Sequence, residues 1–413
     1  MYTTIEKCRI CKSSNLITIF DLGEQTLTGV FPKSKEMEIT KGPIQLVKCT
    51  GENSCGLVQL KQSYNLSEMY GLNYGYRSSL NISMVKHLQD KVDKIVSMNL
   101  LNEGDLVLDI GSNDATTLRS YPSGHYKLIG IDPTGVKFSK FYPPDIDLIS
   151  DFFTENVFKR NYGEQKAKII TSFSMFYDLE DPISFSKDVV KILHKDGVWI
   201  LEQSYLPSML RANSFDTICH EHLEFYSLKQ IKWIADYVGL KIKDVELNEI
   251  NGGSFSVELV HKDSCTKINN EKIEAILDQE IKLGLDDDGK AFTDFIERVE
   301  IEKHKLIEFL KHQKANNKKV VGLGASTKGN VLLQYYNLNS DLVKCIGEIN
   351  SDKFGCYTPQ TLIPLIDEKI LLSESPDYIL ILPWHFKDFF INLDRLKGYK
   401  LVFPLPNFNI IQC

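Results

Sequence analysis

The sequence has no apolar run approaching the roughly 18 residues a membrane helix needs, so no membrane partner is expected. It has no basic tail or Lys/Arg stripe. Lys and Arg number 48 against 55 Asp and Glu, and the net charge of -7 argues against nucleic acid. The N-terminal residues through Cys8 lack the charged-then-apolar pattern of a secretory signal, so a cytoplasmic location is expected. Nine cysteines in 413 residues are too few for a disulfide scaffold. There is no repeat of solenoid period and no low-complexity tract. Two familiar fingerprints are also missing: the three-glycine dinucleotide turn, and the His-Glu-x-x-His spacing of zinc proteases.

What remains is an ordinary globular composition, 43% hydrophobic and 25% charged, on a chain too long for one core. Alternating strand and helix patterns imply an α/β fold. Three parts are expected: a small loop-rich domain over 1–70, a Rossmann-like parallel-sheet domain over 71–265, and a second α/β domain over 266–413. Connecting helices are predicted within 266–317, the later one amphipathic through Phe292, Phe295, Ile296, Val299, Ile301 and Leu306.

Four of the nine cysteines fall in the first 55 residues, as Cys8-x2-Cys11 followed by Cys49 and Cys55. Two thiolate pairs on tight turns suit a Zn2+ ion in four-sulfur coordination, which would be structural because every position is taken by protein. The Cys49–Cys55 gap is wider than usual, and the alternative is four unpaired cysteines.

Residues 105–114 read as an apolar strand ending in Asp109, with Gly111 at the turn and Asn113 beyond it. A second strand ends in Asp132, a separation of 132 − 109 = 23 residues that fits one strand–helix–strand unit. Ligands of such sheets bind beyond the carboxyl ends of the strands, where Asp132 can hold two ribose hydroxyls. One glycine offers no pyrophosphate cradle, and the turn suits S-adenosylmethionine (SAM) instead. Phe152 and Phe153, at a third strand end, could meet adenine. An ordinary αβ turn is the alternative.

A strand-like segment, Val198–Glu202, precedes the stretch Asp216 to Ser227, which contains Cys219-His220-Glu221-His222 and Tyr226. A histidine beside a carboxylate supports proton transfer near neutral pH. A polar loop with satisfied histidines is the alternative. A second polar aromatic cluster runs from Asn73 through Tyr74, Gly75, Tyr76 and Arg77 to Ser79, with His87 after it. Near the C-terminus, Val320–Gly324 reads as a strand entering a glycine turn that opens a helix at Ser326, Thr327 and Lys328. Such a helix start favours anions. Glu348 follows the next strand and could meet a sugar or base, and Trp384-His385-Phe386 could line the same crevice.

Taken in order, these pieces resemble the nucleotide-sugar C-methyltransferases that make branched deoxysugars. The series runs from the four cysteines through Tyr74-Gly75-Tyr76-Arg77, Asp109-Ile110-Gly111 and Met175-Phe176-Tyr177-Asp178 to Cys219-His220-Glu221-His222. It continues with Asn251-Gly252-Gly253-Ser254 and Gly324 to Asn330, and so spans essentially the whole chain. The resemblance implies a zinc-binding N-terminal domain, a central SAM domain and a C-terminal domain that holds the nucleotide sugar. It implies transfer of a methyl group to a carbon, commonly carbon 3, of a 4-keto-deoxysugar. His222 would be the base, Glu221 would orient the sugar, and Tyr76 would sit near the keto oxygen or the methyl. Tyr74, Arg77, Tyr177, Asn251, Ser326, Lys328, Asn330 and Glu348 would contact the substrate. Some relatives have Tyr where this chain has Cys219. Sugar O-methylation and a silent nucleotide-sugar-binding role are the competing readings.

Overall fold

The computed structural model describes residues 2–65, 69, 76–286 and 289–413. Its middle part is a seven-stranded sheet in the order Leu240–Asn248, Ser254–His261, Leu193–Ser204, Ala167–Phe173, Leu106–Ile110, Lys127–Ile131, Ile146–Ile149. The last five run parallel, and Ser254–His261 and Leu240–Asn248 add antiparallel to the edge. The central strand Leu106–Ile110 is buried at every position, as a parallel strand covered on both faces must be. One cover is the helix Ile82–Ser97, which buries Met84, Leu88, Val92 and Ile95 and is capped by the Asn81 side chain.

The N-terminal lobe is a four-stranded antiparallel sheet in the order Glu224–Phe225, Val58–Leu60, Lys41–Cys49, Leu16–Thr26. Its edge strand, Glu224–Phe225, comes from the middle of the chain. The C-terminal part is a six-stranded sheet in the order Leu365–Asp367, Ile346–Glu348, Val320–Leu323, Tyr378–Ile381, Lys400–Phe403, Asn409–Gln412, parallel except for the last strand. The architecture is therefore α/β with a second α/β sheet and a cysteine-bearing N-terminal lobe.

Two local expectations change. The strand read as Val198–Glu202 extends over Leu193–Ser204. In the long helix Lys290–Ala315, Phe292, Phe295, Val299, Leu306 and Leu310 form the buried stripe, but Ile301 is 52% exposed. Ile301 lies off the three-four spacing of the stripe, so apolarity alone did not bring it inside.

The three parts are pinned together by polar contacts. Gln334 bonds the backbone of Thr26 in both directions, with its Oε1 accepting from Thr26 N at 2.8 Å and its Nε2 donating to Thr26 O at 3.1 Å. Arg298 donates to Leu210 O at 2.7 Å and Asn213 Oδ1 at 2.9 Å, and Asn213 Nδ2 donates to Pro406 O at 2.9 Å. A single apolar core runs from Phe20 and Leu46 in the lobe through Phe215 and Leu223 to the C-terminal sheet. No helix among the described residues is long and apolar enough to cross a membrane.

Candidate active site

The carboxyl ends of the parallel strands carry one half of the site. Asp109 is buried at the end of Leu106–Ile110 and accepts from Thr171 Oγ1 at 2.5 Å. Burial pushes its carboxyl up to about 7, against the opposing hydrogen bonds from Thr171 and Thr117. Gly111 follows at φ 75°, and a Cβ there would lie 2.9 Å from Met175 Cγ, so the turn has room only for glycine. The Asn113 N–H donates to Asp132 Oδ2 at 2.8 Å, while Asp132 Oδ1 accepts from Thr134 N at 2.6 Å. Asn113 Oδ1 also accepts from Ser78 N at 3.1 Å, and its Nδ2 donates to Tyr76 O at 3.4 Å. The turn is thereby tied to the described segment of the aromatic cluster, Tyr76 to Ser79. In that segment Tyr76 is 47% exposed, and the Arg77 guanidinium lies 4.7 Å over the Phe141 ring with Nε 3.9 Å from Asp114. Tyr74 lies outside the described residues. Phe152 is 53% exposed, whereas Phe153 turns inward to meet Phe185 at 5.1 Å. A glycine turn that admits no side chain, a carboxylate at the second strand end and an exposed aromatic at the third fit SAM.

The other half is built around the loop 215–223. The His222 Nδ1 lies 2.8 Å from Thr217 O. A carbonyl can only accept, so Nδ1 carries the hydrogen and Nε2 keeps a free lone pair. The imidazole sits edge-on to Tyr177 at 4.5 Å and shares a small pocket with Ser204, Tyr205 and Glu224. Burial, then the nearby Lys328 cation, lower His222 to about 4, against the opposing Thr217 hydrogen bond. His220 points elsewhere, with Nε2 3.3 Å from Gln25 O and its ring 4.6 Å from Tyr64. The two histidines therefore face different elements.

Glu221 bonds the Cys219 thiol, and its Oε2 has no hydrogen-bond partner; burial pushes its carboxyl up. A Cβ on Gly29 would fall 2.9 Å from Glu221 Oε1, which brings the N-terminal lobe to the site's edge. The C-terminal part adds Lys328, whose Nζ donates to Asn251 O at 2.8 Å; burial pulls its ammonium below the usual lysine range, against the opposing charges of Asp216 and then Cys219. Asp216 in turn accepts from Trp384 Nε1 at 2.8 Å, and burial raises it to about 6.

Like Arg77 and Lys328, the expected substrate contacts Ser326, Asn330 and Glu348 have partners within the protein. Ser326 Oγ caps its own helix by accepting from Gly329 N at 3.0 Å. Asn330 Nδ2 donates to Thr28 O at 2.7 Å, joining the C-terminal part to the N-terminal lobe. Glu348 Oε1 accepts from the N–H groups of Ile349 and Asn350, and its Oε2 lies 3.6 Å from Lys353 Nζ. Asp216 and Thr217 are the site residues whose contacts sequence reasoning missed. The stretch containing them was singled out, but the partner of Asp216 is Trp384, 168 residues away. A similar network joins Glu202 to His87, to Lys91 Nζ at 2.7 Å and to Asn248 Nδ2 at 2.9 Å.

In the lobe, the sulfurs of Cys8, Cys11, Cys49 and Cys55 lie within 4.8 Å of one another, with Cys8–Cys55 at 3.5 Å and Cys11–Cys49 at 3.4 Å. Tetrahedral Zn–S bonds of about 2.3 Å require sulfurs roughly 3.8 Å apart, so the four fit one Zn2+ ion. The wide gap closes because the chain after Cys49 loops out and returns, with Cys49 N donating to Leu57 O at 2.8 Å.

Three family models divide the chain among them: a zinc binding domain over 8–70, a methyltransferase domain over 84–245 and a C-methyltransferase C-terminal domain over 249–406. The C-methyltransferase NovU of Streptomyces niveus is 25% identical over 99% of this chain and 97% of its own length. Among solved structures, the magnesium protoporphyrin IX methyltransferase of Synechocystis PCC 6803 is 13% identical, with a TM-score of 0.34 over 48% of this chain and 92% of its own. The CcbJ methyltransferase of Streptomyces caelestis is 9% identical, with a TM-score of 0.33 over 42% of this chain and 89% of its own. At those scores the two overlaps bear no weight.

Proposed function

We propose that this chain, a SAM-dependent C-methyltransferase, acts on a nucleotide-linked 4-keto-deoxysugar, with His222 as the base that prepares carbon 3 for methylation in branched-sugar biosynthesis. The observation that carries the reading is the His222–Thr217 hydrogen bond, which leaves Nε2 as a proton acceptor in the pocket beside Tyr177.

A carbon next to a ketone is acidic because the electron pair left behind moves onto oxygen. In this reading neutral His222 accepts that proton at Nε2, and the Thr217 carbonyl steadies the imidazolium that forms. The Tyr76 hydroxyl donates to the enolate oxygen. Glu221, with one oxygen unbonded, accepts from a sugar hydroxyl. Lys328, at the first turn of a helix in the C-terminal part, faces the diphosphate, with Arg77, Tyr177 and Asn251 along the sugar. Held by Asp109, Asn113 and Asp132, SAM supplies an electrophilic methyl group on a sulfonium centre. The chain's own contribution is alignment, which can lower a barrier by about 7–11 kcal/mol.

The test is incubation of the pure protein with SAM and a panel of 4-keto nucleotide sugars, read by mass and NMR. The expected product has an acid-stable methyl branch on carbon 3, and solvent deuterium enters that carbon when SAM is withheld. A methyl group found on oxygen sinks the proposal.

A further inference from the structure

The loop that carries His222 has little structure of its own. It ends in a strand of only two residues, Glu224–Phe225, and that strand belongs to the N-terminal lobe's sheet. The lobe holds the loop at successive points. Tyr64 meets His220, Leu60 N donates to Leu223 O at 2.8 Å, Glu224 pairs with Gln59, and Gln230 Nε2 donates to the carbonyl of the cysteine ligand Cys55 at 2.9 Å.

One side chain links most of these points. Arg9 lies between Cys8 and Cys11, and its side chain is 2% exposed. Its NH1 donates to Leu60 O at 2.6 Å and its NH2 to Ser63 Oγ at 2.7 Å. Its Nε lies 3.6 Å from Glu224 Oε1 and 3.4 Å from Glu180 Oε2. Glu224 is fully buried, with both oxygens lacking a hydrogen bond; burial pushes its carboxyl well up, against the opposing Arg9 guanidinium. Glu180 follows Tyr177 by three residues, and Tyr177 O accepts from Leu223 N at 2.8 Å. Arg9 thus braces both segments that form the walls around the imidazole.

We propose that Arg9 and Glu224 are positioning residues: the cysteine-bearing knuckle sets the register of the loop through this buried pair, and so sets where His222 Nε2 points. The inference rests on the reading of His222 as the base. A buried guanidinium beside a buried carboxyl adds little net stability, but separating them leaves polar groups buried without partners, which suits a device for fixing register. A shift of about 1 Å in a reacting group can cost on the order of a hundredfold in rate.

The experiment uses the full-length, zinc-loaded protein and the variants Arg9→Met and Glu224→Gln. The second keeps the side chain's shape and the strand's backbone pairing, so it serves where Arg9→Met fails to fold. Two readouts are taken. One is kcat and the KM for SAM with a dTDP-linked 4-keto-6-deoxyhexose. The other is the rate at which iodoacetamide labels Cys219, which lies in the same loop and is 1% exposed. In Glu224→Gln we expect kcat to fall by about tenfold or more, with the KM for SAM and the zinc content unchanged and Cys219 labelled faster. A kcat within twofold of wild type overturns the proposal, and so does a loss of rate with Cys219 still protected. If His222→Asn stays active while Glu224→Gln exposes Cys219, it is the base that was misassigned, and the bracing of the loop stands.

Discussion

The two halves of the proposed site are built in opposite ways. The donor half comes largely from one sheet: Asp109, Gly111, Asn113 and Asp132 lie within 24 consecutive positions on two neighbouring strands and their turns. The acceptor half is assembled from all three parts of the chain, with Gly29 from the lobe, His222 and Glu221 from the middle, and Lys328 from the C-terminal part. A half made by one local unit can form without its neighbours. A half made at a junction depends on every element that meets there, so damage far away in sequence should reach it.

The sharpest way to break that comparison is to strike the acceptor half alone. His222→Asn is expected to lower kcat by about 10²–10⁴-fold while SAM titrates by calorimetry as in the wild type. Weakened SAM binding would mean that the halves are not separable. The next test reaches the acceptor half from a distance. Cys8→Ser with Cys11→Ser should reduce zinc from near one per chain, by elemental analysis, to a trace, and abolish turnover because the loop loses its template. SAM affinity should change by less than about threefold, since the hydrogen bonds that set Asp109, Asn113 and Asp132 come from the sheet domain itself. A metal-free wild type with full activity would remove the role of zinc.

The smallest effect concerns charge across the junction. His222 stands near 4, below the ordinary 6.5, so it stays neutral as pH falls until it approaches 4. The acid limb of kcat/KM should therefore lie near 4 and not near 6.5. A depressed folded value also means that the stability contributed by neutral His222 is complete above 6.5 and declines as pH falls from there toward 4. Lys328→Met removes a cation that disfavours imidazolium, so the limb should move part of the way from 4 toward 6.5. An unmoved limb would show that Lys328 does not act on His222 across the junction.

The helix Lys290–Ala315 shows where pattern reading stops within one element. Its buried stripe follows from spacing, but Ile301 is apolar and exposed because periodicity, not hydrophobicity alone, selects the face. The wide cysteine gap shows the same limit. Thiols in the right number suggested a metal site, and the loop that returns Cys55 to Cys49 is a matter of backbone closure that spacing does not reveal.

By itself the sequence determined the α/β class, the glycine turn between two parallel strands and the thiol set, because each depends on contacts between residues near in the chain or on a distinctive residue type. Tertiary structure alone decided which elements the two histidines face, that Asn330 joins the lobe while Lys328 approaches the imidazole, and that the N-terminal lobe supports the loop bearing His222. These are contacts between residues tens to hundreds of positions apart. Neighbours in sequence carry no record of them, since what fixes them is how three separately patterned surfaces pack together.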